Sequence, residues 1–275
     1  MQIKKVLLLT IYTIILSISF GQELAPSVVN YSTRDYGKEY NPEIFCATQD
    51  QRGVMYFGTG NGVLEFDGQF WQYIKVQAGF YVRAIGTDSL GRVYVGTMGD
   101  FGYLSAQENG LVDYVSLLEK VPLEDQFFSE IWSIHSNAKK VYFQAQEVFF
   151  EFDIETEKIT IVYPTETSSF HTSFMIDGVF HLRAREIGIV KYVDDDLERL
   201  RGTENVRGLG VFGVHKLPDD SLIVITQEIG IWKYKNKVFK QLPDNNKTAI
   251  SSLGVFGSLQ LLDGNVALWT FTNGI

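Results

Sequence analysis

Short apolar and aromatic runs alternate along this chain with polar turns rich in Gly, Asn and Asp. Between Asp50 and Lys75 the order is "VMYFGT", a turn "GNG", then "VLEFDG" and "FWQYIK". Short runs with this alternation predict β-strands, whose successive side chains point to opposite faces. The one stretch that could hide a helix, "VSLLEKVPLEDQFF", is limited by Pro122.

The pattern repeats. Taking the tyrosine of "VMYFG", Tyr56, as a marker, the same run returns at Tyr94, Tyr142, Phe180, Ile223 and Ala267, a spacing near 40 residues. Turn residues precede each marker: Gly53, Gly91, Asn137, Asp177-Gly178, Asp219-Asp220 and Asp263-Gly264. A second turn follows, ending in Gly62, Gly102, Gly188, Gly230 and Gly274, with Val148 in that place in the third unit. These residue types favour tight hairpins. Each period has room for four strands, which predicts an all-β protein, a β-propeller of four-stranded blades over residues 44–275 with the last blade truncated. Sandwich and β-helix are poorer fits, since the first needs no repeating unit and the second repeats at shorter intervals.

Before this region, residues 1–21 read as a signal peptide: Lys4 and Lys5, an apolar run to about Phe20, and small residues Ser19 and Gly21. The run is short for a membrane span. Residues 22–43 form a lead-in segment. The chain has 275 residues and a formal net charge of −9, and loss of the leader makes it more acidic still. Such a balance argues against nucleic acid as a partner. Cys46, the single cysteine, has no disulfide partner within the chain, and in "IFCAT" it reads as a small buried hydrophobe.

Asp50, Gly53, Gly58-Thr59, Gly62 and Phe66-Asp67, echoed by Asp88, Gly91, Tyr94, Gly96-Thr97 and Gly102, resemble the two-component regulator propeller repeat of periplasmic sensor regions in Bacteroidetes. The third unit lacks Gly-Thr and the fifth reads "ITQEIGIW" instead. The resemblance implies an exported, periplasmic ligand sensor of two-component type. It also implies seven or more blades, against the five to six that this length holds. A full-length parent would carry a downstream three-tyrosine domain and a membrane-linked histidine kinase or DNA-binding output module.

Candidate chemistry is sparse. Gly58-Thr59-Gly60-Asn61-Gly62 joins two predicted strands, whereas a phosphate loop leads into a helix. His135, His171, His181 and His215 have no close ligand spacing, so no metal or cofactor is expected. No nucleophile turn stands out, so the chain is not expected to be an enzyme. Aromatic residues leading into the blades and polar residues of the second turns make a candidate ligand rim: Phe80, Tyr81, Asp100, Phe128, Glu147, Phe170, Arg185, Glu228 and Asn273. Aromatic platforms beside polar groups suit a small-molecule or oligosaccharide ligand. A propeller lyase or hydrolase acting on a polysaccharide, or a protein-binding scaffold, is the alternative.

Overall fold

The computed structural model describes residues 28–76, 81–165, 168–242, 254–261 and 263–271. Residues 1–21 with the leader lie outside the described residues, as do Phe80 and Asn273.

Among the described residues, five four-stranded antiparallel sheets and one two-stranded sheet follow in chain order. The first blade holds β1 (Ile44–Gln49), β2 (Met55–Thr59), β3 (Gly62–Phe66) and β4 (Trp71–Lys75). The second holds β5 (Ala84–Thr87), β6 (Val93–Gly96), β7 (Phe101–Ala106) and β8 (Val112–Ser116), and the third β9 (Ser133–Ser136), β10 (Lys140–Gln144), β11 (Phe149–Asp153) and β12 (Ile159–Val162). In the fourth are β13 (Phe170–Ile176), β14 (Val179–Ala184), β15 (Gly188–Val193) and β16 (Asp196–Arg199), and in the fifth β17 (Val211–Lys216), β18 (Leu222–Thr226), β19 (Gly230–Lys235) and β20 (Val238–Gln241). The two-stranded sheet is β21 (Val255–Gln260) with β22 (Val266–Thr270). The fold is a β-propeller. The stretch around Pro122 forms only two 3-10 turns, Leu118–Lys120 and Leu123–Asp125.

Blades pair through their faces. Tyr56, Val63 and Ile74 of the first blade pack with Val93, Val95 and Leu104 of the second. On the far face of the second blade, Tyr94 and Phe101 meet Val141, Phe143, Phe150 and Phe152. Tyr142 and Phe149 then join Phe180, Leu182 and Tyr192, and Ile176 and Ile189 join Val211, Val214 and Val224. Alternate residues of a strand thus serve different interfaces, the period-two rule applied to a ring. Each fully buried Phe or Tyr contributes roughly 2 to 3 kcal/mol by removal from water.

The marker residues occupy the second strand of every blade, with one correction. In the first blade Tyr56 lies opposite Thr48, two residues after Cys46; in the fourth, the matching place opposite Phe174 belongs to His181. Phe180 faces back towards the third blade and stacks on Tyr142, with ring centroids 4.4 Å apart. The aromatic letter points to Phe180, whereas the cross-strand pairing makes His181 the equivalent of Tyr56.

Turn residues and marker tyrosines act together. Asp88 Oδ1 accepts the backbone N–H groups of Leu90 and Arg92, and Oδ2 accepts the Tyr94 hydroxyl at 2.9 Å. Asp50 does the same for Arg52, Val54 and Tyr56, and Asn137 bonds Lys139, Lys140 and Tyr142. Gly91 closes the turn at φ 85°, where a side chain would be strained. After the marker, the buried Thr59, Thr97 and Thr226 hydroxyls bond carbonyls across the second turn. The Gly-Thr pair is therefore turn architecture.

Asp88→Ala is expected to destabilise the protein by about 1 to 3 kcal/mol, because it strands two turn N–H groups and a buried phenol. Tyr94→Phe should cost about 1 kcal/mol, and the double variant should cost less than the sum, as read by denaturant titration.

Candidate functional site

The first strand of each blade lies innermost, and these strands are neighbours in succession, β1 to β5, β5 to β9 and onward to β21. At every junction a side chain on an innermost strand reaches a backbone carbonyl of the neighbouring blade, forwards at three junctions and backwards at two. Cys46 Sγ donates to Val82 O at 3.5 Å, Ser136 Oγ to Thr87 O at 2.7 Å and His135 Nε2 to Ser173 O at 3.0 Å. Thr172 Oγ1 donates to Val211 O at 2.7 Å and Ser258 Oγ to Phe212 O at 3.0 Å. Burial pushes the Cys46 thiol up to about 12, so it stays protonated.

A second feature recurs at the start of these strands. The ladder skips one residue between Ile44 and Cys46, Phe170 and Thr172, Val211 and Gly213, and Val255 and Gly257. The bulged residues are Phe45, His171, Phe212 and Phe256. Arg83 and Trp132 hold the same place in the second and third blades, through Arg83 N to Gly96 O and Trp132 N to Gln144 O. A bulge re-aims a side chain out of the regular pleat. Here the six side chains gather at one mouth of the channel.

They touch across blade boundaries. The Arg83 guanidinium lies over Phe45 at 4.9 Å and over Trp132 at 5.0 Å, and its Nε is 3.5 Å from Glu130. The His171 and Phe212 rings meet edge to face at 5.3 Å across the next boundary, while Phe256 stacks at 4.5 Å on Phe271, just beyond β22 of its own sheet. Trp132, His171, Phe212 and Phe256 line a cavity of about 920 Å³, with Ser133, Gln144, Gln146, Ser173, Arg185 and His215 among its polar walls. Trp132 is 47% exposed there, so part of its indole stays open beside the Arg83 contact, in a volume that suits a small ligand.

The candidate rim residues divide. Arg185 lines the cavity, exposed, whereas Phe170 borders it only from the core, 1% exposed and packed on Phe149. Tyr81 stands beside the ring, 44% exposed and edge-on to Phe45. Glu147 accepts from Ser129, and Glu228 accepts from Gly210 N; both are exposed on the same side, where linkers meet the second turns. Two are placed differently. Phe128 packs on Phe101 and Phe150 in the core, and Asp100 is buried in the second blade, accepting from Ser116 Oγ at 2.6 Å and Phe101 N at 2.7 Å. Burial raises the Asp100 carboxyl. Neither belongs to the cavity wall.

Sequence reasoning missed Phe45, Arg83, Trp132, Phe212 and Phe256. The signal existed: each ring position lies ten or eleven residues before the marker strand's central residue once His181 is the fourth marker. Three histidines, His135, His171 and His215, line one cavity despite their distance in sequence. Among the described residues no cluster of three or more His, Cys, Asp or Glu could hold a metal.

No protein-family model matches the sequence, and no curated protein matches it. Solved structures do resemble it. The extracellular domain of a hybrid two-component system from B. thetaiotaomicron is 16% identical, with a TM-score of 0.52 over 90% of this chain and 41% of that one. The chain thus spans about two fifths of that relative's length. A catalytically inactive virginiamycin B lyase from Staphylococcus aureus, solved with quinupristin, is 15% identical at TM-score 0.63, over 90% of this chain and 83% of that one. The β-propeller domain of Cps50 from Myceliophteria thermophila is 12% identical at TM-score 0.61, over 84% and 81%. At such identities the likeness is one of fold.

Burial lowers the pKa of all four histidines, to about 4 for His135 and His171. A folded-state pKa below the unfolded value means that the unfolded chain takes up protons first. Stability from these groups is complete above about pH 6.5 and lost as pH falls towards 4. Thermal melts across that range should show the loss, and His135→Gln should flatten part of it.

Proposed function

We propose that this chain is the ligand-sensing propeller of an exported signalling protein of two-component type, and that it takes an oligosaccharide at the channel mouth around Trp132. The observation that carries the reading is the ring Phe45, Arg83, Trp132, His171, Phe212 and Phe256 above a cavity walled by hydroxyl and amide groups. Sugar C–H faces stack on exposed rings, and their hydroxyls pair with the exposed Gln146 amide, while Ser133, Gln144 and Ser173 bond one another behind it. The repeat resemblance and the B. thetaiotaomicron likeness support the sensor role. On this reading the parent protein is periplasmic and passes the event to a three-tyrosine domain and a membrane-linked kinase or DNA-binding module. Binding shifts the output by favouring one of two blade arrangements.

The catalytic alternative draws on the lyase likeness and on the histidines of the cavity. It requires turnover, whereas the sensor reading requires none.

A panel of oligosaccharides should contain members that bind with affinity on the order of micromolar. Trp132→Ala should weaken that binding by about five- to 150-fold, since base-sized stacking on an indole is worth about 1 to 3 kcal/mol in related settings. Isothermal calorimetry checks affinity, and chromatography of the same mixtures checks for cleavage. Absence of binding across the panel, or product formation lost with a cavity histidine, overturns the reading.

A further inference from the structure

We infer that the cavity carries an anion subsite on the fourth blade, centred on Arg185 with Arg183 behind it, which receives a carboxylate or sulfate group of the bound saccharide. The inference rests on the saccharide reading above and names the chemistry of the ligand more closely.

Arg183 and Arg185 are two residues apart, at the end of β14 and just beyond it. Arg185 is exposed and lines the cavity. Its backbone is tied down, with Arg185 N donating to Ser169 O and Arg185 O accepting from Ser168 Oγ, while its guanidinium makes no ion pair among the described residues. Arg183 is 4% exposed and donates from Nη2 to Arg207 O at 2.6 Å, and its buried Nε has no hydrogen-bond partner. What sets the pair apart is its place, one guanidinium on the cavity wall and the other buried directly behind it. Glu186 and Glu228 lie in the same region, yet neither comes within ion-pair distance of them.

The bulge at His171 completes the arrangement. It places an imidazole between the two arginines' blade and Phe212, and the buried Nδ1 of that ring has no partner. Burial first, and then the charges of Arg183 and Arg185, hold this histidine at about 4. Its neutrality comes from burial first, and the two guanidinium charges beside it add a positive local potential. An anion entering the cavity meets that potential, which Glu186 and Glu228 offset only from beyond ion-pair distance, and a planar guanidinium grips carboxylate or sulfate through two parallel hydrogen bonds. Trp132 on the third blade offers the neighbouring stacking surface.

The test compares disaccharides of glucose, galactose and mannose in three forms that differ at one C6 position: hydroxyl, carboxylate and sulfate. Calorimetry on the whole chain should give acidic forms about tenfold or more tighter than the neutral ones, with the difference shrinking as salt rises. Comparing the two acidic forms tells a uronic acid from a sulfated sugar. Arg185→Gln should abolish the preference, and Arg185→Lys should restore part of it; the exposed position keeps both variants folded, which circular dichroism checks. Neutral forms that bind as tightly as acidic ones, with Arg185→Gln without effect, overturn the anion subsite and leave the saccharide reading in place. If no form binds, both fall.

Discussion

The structure depends on burial between blades. No single sheet here encloses its own apolar residues: Tyr56 and Ile74 are covered by Val93 and Val95 of the next blade, and Tyr94 by Phe143 and Phe152 of the one after. The driving force is the area removed from water, which is non-directional, so it sets proximity and leaves register open. Register comes from the polar contacts of the innermost strands. Cys46, Ser136, His135, Thr172 and Ser258 each bond a carbonyl on, or just before, the adjoining innermost strand, one for every junction described. Desolvated as they are, these groups cost more unpaired than they contribute when paired.

That same geometry makes the site. Strands that converge on an axis bring their first residues close, and the skipped ladder position turns one side chain per blade towards the mouth. A conserved backbone device thus carries a variable letter: aromatic at Phe45, Trp132, Phe212 and Phe256, cationic at Arg83, ionisable at His171. Backbone repetition supplies position, and side-chain variation supplies chemistry.

Much of this frame was legible in the sequence because hairpins are local. Asp88 and Gly91 announce a turn by their own chemistry, and the strand that follows must contain Tyr94. The fourth unit shows the limit. Both Phe180 and His181 sit in an apolar run, and only the cross-strand pairing with Phe174 decides that His181 is equivalent to Tyr56. The rim was less legible. Aromatic residues such as Phe128 look alike whether they face a channel or a core, and Asp100 looks like a rim carboxylate until its bond to Ser116 is seen. The bulges were invisible, since they arise between two strands.

The account's central claim is that the bulged side chains at the channel mouth form one recognition surface. A crystal structure of the protein with its tightest-binding oligosaccharide tests this most directly. The account predicts sugar density stacked on Trp132 and reaching Arg185 across His171 and Phe212. Density confined to the opposite face, near Lys216 and Asp177, or to the outer strands β4 and β8, would contradict it.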